Sequence, residues 1–427
     1  MWTTSLDRLR RARDLFPLSA AGLVAAGACL LAYLYYGRER LDHILLAAGV
    51  IGLALVALAV LFVLLAALLV WRAARRARPG DPLRAECGHL TPTGFVLPSL
   101  RWLPFVDVRW SWVSPSAEVR PRREGRHLVE QIRPTERDHF ASVERRIEVG
   151  EVFGFARIAF RVRQARGGRF APWTGGLEHV QVAHGLAGGD HITHPDGTPT
   201  GDFFDMRRYG AGDPIRFILW KVFAKTRDLM VRTPEMSLSP DRRTVAYLVA
   251  GDGDEPAAGA ARVAVDSGAL GSSWVLGADG VSEAASSSDE AVELLARSAG
   301  ARPDDSGALG AFLGRLDRGP STRAVVFVPA RPGPWVDRVA AAARGRPGHA
   351  ARVEFIVCTD GIGDRVRRSV WSRAALAPPG DGALVAARQE DLVAVVNALT
   401  ATGASVMVVD RPGGRVVSGR SLRGVVS

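Results

Sequence analysis

Two uncharged apolar stretches near the N-terminus, Leu18 to Tyr36 and Ile44 to Val70, constrain this chain more than any other feature. A helix of about 20 apolar residues crosses the hydrocarbon core of a bilayer, so the first stretch just spans it and the second spans it with tilt. Pro17 stands where a helix starts. Tyr33, Tyr35, Tyr36 and Trp71 fall where aromatic belts form at a membrane surface. Only residues 37–43 separate the two stretches, which is a tight connection. The expectation is a transmembrane hairpin over 17–71, with helices at 18–36 and 44–70. Arg8, Arg10, Arg11 and Arg13 precede the first stretch, and Arg72, Arg75, Arg76 and Arg78 follow the second, whereas the connection carries Arg38 and Arg40 alone. Positive charge favours the cytoplasmic side, so both flanks are expected there, in a multi-pass protein of a bacterial cytoplasmic membrane with both termini and the soluble part inside. A cleaved signal peptide is the competing reading. The second stretch would still anchor the chain, and no small-residue cleavage site follows the first.

The net charge is +11, and of 55 basic residues only Lys221 and Lys225 are lysine. Such a skew, with abundant Ala and Gly, reads as the codon usage of a GC-rich bacterial genome. The arginines are spread along the chain without a basic helix, so anionic lipid beside the anchor explains the charge better than nucleic acid does. Cys29, Cys87 and Cys358 form no paired framework, which fits a reducing compartment without disulfide or zinc.

Beyond a basic N-terminal segment (1–16), the hairpin and a linker (72–82), alternating apolar residues mark short strands. Val106, Val108, Trp110 and Trp112 share one strand face; Ala156, Ile158, Phe160 and Val162 share another. Residues 83–200 therefore read as a small β domain of sandwich type. From Thr244 the rhythm changes. Thr244–Val249, Ala324–Val328, Val353–Cys358 and Ser405–Val409 are valine-rich runs, separated by helical patterns. A capping box at Ser287 and Glu290 opens one helix, Pro334 opens another, and Gln389 to Thr402 forms a third, closed by Gly403. Strands alternating with helices imply a doubly wound α/β domain over 236–427. Asp266 to Ser288, rich in Gly, Ala and Ser, reads as an inserted loop.

Between these domains, residues 201–235 carry the densest pattern. Asp213 followed by Pro214 is a helix start, and Ile215 to Phe223 is apolar almost all round. The expectation is a buried helix with Trp220 inside and Arg216 against its ring. Both lysines of the chain fall in this segment. Gly201, Phe203, Arg207, Tyr209, Gly212, Asp213, Arg216, Ile218, Trp220, Ala224, Lys225, Val231 and Arg232 stand in the register of a motif, and Val152 to Arg157 supplies a phenylalanine–glycine turn upstream. On these residues the chain resembles the bacterial membrane proteins known as domain of unknown function fifty-eight, over nearly its whole length. Asp202, Arg208 and Leu219 depart from the residues usual in that family. The resemblance implies a degenerate von Willebrand factor A-like domain after the motif, company with a MoxR-type AAA+ ATPase, and work in assembling or maintaining envelope complexes. It leaves three readings of Arg207, Tyr209, Gly212, Asp213, Arg216, Trp220, Lys221, Lys225 and Arg232: a structural joint first, then a partner-binding surface, and last a catalytic cluster.

A von Willebrand factor A metal site needs a carboxylate and two hydroxyls after the first strand, for a hard cation. Here that strand runs into Ala250 to Glu255, where no serine follows Asp252 or Asp254 at the required spacing. Asp252 and Asp254 are therefore weak metal candidates, and Thr359-Asp360-Gly361 is a strand-end turn of similar type. His179, His184, His191 and His194, with Asp190 and Asp196, lie among glycines and prolines and read as a loop. No catalytic motif or cofactor fingerprint stands out, and none is expected. Three functions compete: a non-enzymatic membrane-anchored interaction or scaffold protein, a metal-dependent binding module of the α/β domain, and a hydrolase near Asp205, Asp213 and Lys221. The missing nucleophile–base pair argues against the last, and the broken metal pattern against the second.

Overall fold

The structure is a computed structural model that describes residues 14–39, 43–103, 105–179, 192–198, 205–210, 218–233, 237–238, 243–301, 308–316, 322–344, 353–361 and 388–418. The chain divides into two compact units. One is Met1–Trp173 with Leu295–Ala299, and the other is Thr174–Leu294 with Gly300–Ser427.

The first unit opens with two helices, α1 (Ala20–Leu31) and α2 (His43–Arg76). Ser19 caps α1, its hydroxyl accepting from Gly22 N at 3.0 Å. A wider π-helical segment, Ala32–Glu39, continues it. The helices meet through small residues: a Cβ at Gly49 would lie 2.8 Å from the Cys29 carbonyl oxygen, and one at Gly52 would collide with the Cys29 sulfur. With 34 residues, α2 is the one helix among the described residues that is long and apolar enough to cross a membrane by length and composition; Ala20–Tyr35 is a shorter apolar helix. At about 1.5 Å per residue α2 reaches roughly 50 Å, well beyond a hydrocarbon core of about 30 Å.

The second expected stretch, 44–70, thus lies within a helix that is long and apolar enough to cross a membrane. Its C-terminal part buries Val63, Ala66, Ala67 and Val70, a helical stripe that packs on Phe95, Leu97, Trp110 and Ile147 of the β region. The apolar run encodes both surfaces in one residue alphabet, so length alone could not separate them.

Nine strands follow: β1 (Leu83–Glu86), β2 (Thr91–Pro98), β3 (Val106–Ser114), β4 (Ala117–Glu124), β5 (His127–Pro134), β6 (Asp138–Phe140), β7 (Val143–Glu151), β8 (Arg157–Gln164) and β9 (Gly168–Ala171). They form three three-stranded sheets, in the orders β1-β9-β6, β2-β5-β4 and β3-β7-β8. Trp110 and Trp112, two apart on β3, face inward together as their alternation predicts. Both indole N–H groups donate to Glu130 Oε2, at 2.8 and 3.0 Å. Thr93 donates to Glu130 Oε1 at 2.6 Å, and the Arg145 guanidinium closes the cluster at 2.7 Å. Glu130 and Arg145 side chains are both 0% exposed, and Arg145 also donates to Gln164 Oε1 at 3.0 Å and lies over the Phe95 ring.

The second unit carries the short strands β10 (Ile192–Thr198), β11 (Asp205–Arg208), β12 (Met230–Thr233) and β13 (Ser237–Leu238), and then β14 (Arg243–Leu248), β15 (Trp274–Ala278), β16 (Val281–Ala285), β17 (Thr322–Pro329), β18 (Val353–Thr359), β19 (Ser405–Asp410) and β20 (Arg415–Ser418), which build one seven-stranded sheet. The order is β16-β15-β14-β17-β18-β19-β20, parallel except for the antiparallel edge strands β16 and β20. Its central strands are buried along nearly their whole length, which explains their valine-rich runs. Helices Glu255–Asp266, Ser288–Arg297, Ala308–Leu316, Trp335–Arg344 and Gln389–Thr400 alternate with the strands. The architecture is thus mostly α/β with mixed sheets. The expected loop over Asp266–Ser288 is instead structured, because β15 and β16 form a hairpin turning at Asp279-Gly280, with Gly280 at φ 77°. An Asp-Gly pair between apolar runs is a hairpin signal that outweighs the glycine content around it.

Candidate functional site

The order of the seven-stranded sheet reverses at β14, whose neighbours β15 and β17 wind away in opposite directions. In open parallel sheets the crevice at the carboxyl end of such a strand is the usual ligand position. Five acidic residues and two arginines gather at the strand ends here: Asp252 and Asp254 after β14, Asp279 after β15, Asp360 after β18, Asp410 closing β19, and Arg338 and Arg411.

Two of the carboxylates are committed to guanidinium groups. Asp279, 1% exposed, accepts from the Tyr247 hydroxyl at 2.8 Å, from Ala250 N at 3.0 Å and from Arg338 at 2.9 Å. Asp360 accepts from Arg411 Nε at 2.6 Å, and the same guanidinium donates to the Glu255 carbonyl at 3.1 Å. Asp254 stands at the cap of the helix from Glu255 and accepts from Gly251 N at 3.2 Å. Asp252 is exposed in the turn beside Gly253, whose φ of 75° needs glycine. Gly251 is held by packing, since a Cβ there would meet the Trp335 ring at 3.0 Å. No group of three or more His, Cys, Asp or Glu able to hold a metal occurs among the described residues. Cys358, at the end of β18, is fully buried, and burial pushes its thiol well above the ordinary range, so it stays protonated.

The motif segment lies elsewhere in this unit, on a ribbon of its own. Strand β11 (Asp205–Arg208) pairs with β12 (Met230–Thr233), setting Arg207 opposite Val231 and Arg232 opposite Met206. Tyr209 N donates to the Leu229 carbonyl at 2.8 Å, extending the pairing by one residue. Ile218 bridges to Val231 and the chain turns at Leu219, with Trp220 N donating to the Ile218 carbonyl at 3.1 Å, so neither residue is helical. The helix begins only at Trp220, runs to Thr226 and is stopped by Arg227 at φ 65°. Gly212, Asp213 and Arg216 lie outside the described residues, as does the proposed start at Asp213-Pro214.

Trp220 is not buried: it is 57% exposed and packs edge-on against Phe223 at 6.3 Å. A helix of seven residues offers two turns, and the ribbon has already taken the apolar Ile218 and Val231. Lys221 and Lys225 are exposed on the same helix. Of the histidine group, residues 180–191 lie outside the described residues. His194 and Asp196 fall in strand β10 (Ile192–Thr198), which pairs with β13 (Ser237–Leu238), rather than in a loop.

Sequence reasoning found Asp252, Asp254 and Asp360 but missed Asp279 and the arginine partners of Asp279 and Asp360. Arg338 and Arg411 are 59 and 51 residues from Asp279 and Asp360, and nothing local ties them. Neither a protein-family model nor a curated protein matches the chain.

Proposed function

We propose that this chain is a membrane-anchored, non-enzymatic interaction or scaffold protein of the bacterial cytoplasmic membrane. In this reading α1 and α2 form a two-span hairpin with both termini in the cytoplasm. The soluble part comprises a sandwich-like β domain and a von Willebrand factor A-like domain whose metal site is degenerate. The observation that carries the anchor is the outward face of the helices. Ile44, Ile51 and Leu55 of α2 are 81%, 60% and 58% exposed, beside an exposed Leu23 and Val24 on α1. A continuous apolar surface of this kind is solvated by lipid, not water.

The strand-end arginines support the non-enzymatic half of the reading. Asp279 and Asp360, the carboxylates that the crevice would offer a cation, are neutralised from within the fold. The exposed Trp220, Lys221 and Lys225 on one short helix favour the motif as a partner-binding surface over a structural joint. The resemblance to the family of unknown function supplies the partner class, a MoxR-type AAA+ ATPase.

Topology is tested with C-terminal fusions in the full chain: a fluorescent protein should be bright and alkaline phosphatase inactive. An active phosphatase overturns the orientation. The partner is tested by co-purification with the MoxR-type ATPase of the same cell. Capture should fall for Trp220→Ala and Lys221→Ala while the folded yield is unchanged, and undiminished capture by both variants removes the motif helix from the interface.

A further inference from the structure

A patch of exposed aromatic side chains surrounds the first turn of α1. Phe105 and Phe153 are 59% and 63% exposed, with ring centroids 5.5 Å apart, and Val152 beside them is 71% exposed. Phe153 stacks on Phe155 at 6.1 Å. Trp102, 64% exposed, sits on the same loop as Phe105 and follows the exposed Arg101. Water-facing aromatics of this number are costly in a soluble β domain, and an apolar cluster of this kind marks a contact surface.

The backbone ties the patch to the helix. Ser19 N donates to the Phe155 carbonyl at 2.9 Å, the Ser19 hydroxyl donates to the Gly154 carbonyl, and Arg157 N donates to the Pro17 carbonyl at 3.0 Å. Gly22 has no side chain because a Cβ there would collide with the Phe155 carbonyl. The turn between β7 and β8 therefore lies against the very turn with which the apolar helix begins. Phe105 is held at φ 67°, a conformation bulky residues rarely adopt, and its carbonyl accepts from Val152 N at 2.8 Å. That bond ties Phe105 to the Val152–Phe155 turn, so the rings of Phe105 and Phe153 are presented together.

We infer that Trp102, Phe105, Val152 and Phe153 insert into the headgroup–acyl boundary of the cytoplasmic leaflet beside α1. This rests on the anchor proposed above. If α1 leaves lipid at Ser19, side chains bonded to that cap lie at headgroup level, where aromatic rings partition favourably. Insertion to a depth of about 5–10 Å is the usual reach of such a surface. The inserted loops, with the α2 stripe packed on the β strands, would fix the tilt of the β domain on the membrane as three points fix a plane.

The test uses the full chain in vesicles of phosphatidylcholine with a minor share of phosphatidylglycerol, the phosphatidylcholine brominated high on its acyl chains. Environment-sensitive labels are placed by Phe153→Cys and, in a second protein, by Trp102→Cys. Val24→Cys reports the span, and Arg122→Cys on the exposed strand β4 reports water; labelling of the unsubstituted chain gives the background. Bromine should quench the labels at 153 and 102 several-fold more than that at 122, with a blue-shifted emission at both. Labels at 153 and 102 that behave like 122, while 24 is quenched, overturn the insertion and leave the anchor standing. An unquenched label at 24 overturns the anchor, and the insertion with it.

Discussion

Replacing Glu130 by glutamine should destabilise the β domain severely. The carboxylate accepts from five donor groups: Thr93 Oγ1, the indoles of Trp110 and Trp112, and Nε and Nη2 of Arg145. An amide keeps one acceptor oxygen and turns an N–H₂ group toward donors. It also leaves the Arg145 guanidinium, 0% exposed, without a counter-charge. Breaking a buried pair from one side costs about 3–5 kcal/mol, against a total domain stability of about 5–15 kcal/mol. Urea unfolding of the full chain in detergent micelles, followed by tryptophan fluorescence, reads this directly, because Trp110 and Trp112 line the cluster. The companion variant removes both charges, Glu130→Leu with Arg145→Met. It should recover much of the loss, since apolar replacement of a buried pair is often close to neutral. A Glu130→Gln protein within about 1 kcal/mol of the parent would refute the energetic role of the pair, that being the scale of one ordinary hydrogen bond. A double variant no better than the single would refute the orphaned charge as the cause.

Trp220→Ala should change stability by no more than about 0.5 kcal/mol, as surface substitutions do; a loss several times larger in the same urea assay would contradict its 57% exposure. The hydrogen bond from Arg146, at 2.8 Å, holds the Asp14 carboxyl below its ordinary value of 3.8. Its contribution is thus present above that pH and is lost as pH falls through the lowered value. For a partly exposed pair this is worth at most about 1 kcal/mol, and Asp14→Asn should flatten that acid limb of the stability curve; an unchanged limb would show that the pair does not form. Calorimetry on the full chain should detect no micromolar Mg²⁺ binding, because Asp279 and Asp360 are already paired with arginines; binding abolished by Asp252→Ala would show that the turn after β14 is a cation site.

How much could be read in advance depended on the range of the interaction. The apolar helices, the inward alternation of Trp110 and Trp112, the valine-rich strands and the helix closed before Gly403 are local patterns, and local backbone preference with side-chain periodicity is enough to set them. The same local reading placed Asp252, Asp254 and Asp360 at strand ends. It failed at Trp220, where an apolar run resembled a buried helix until the pairing of Ile218 with Val231 drew part of it into a ribbon.

Tertiary structure alone decided three things. It divided α2 between an exposed apolar stretch and a stripe packed on strands, since an exposed apolar face and a protein core can be built from the same residues. It joined Glu130 to Arg145, Asp279 to Arg338 and Asp360 to Arg411, because ion pairs across strands and crossovers leave no periodic trace. It also brought Phe105 to the Val152–Phe155 turn and that turn to the first turn of α1, a juxtaposition made by backbone hydrogen bonds that any residue can supply and no sequence pattern records.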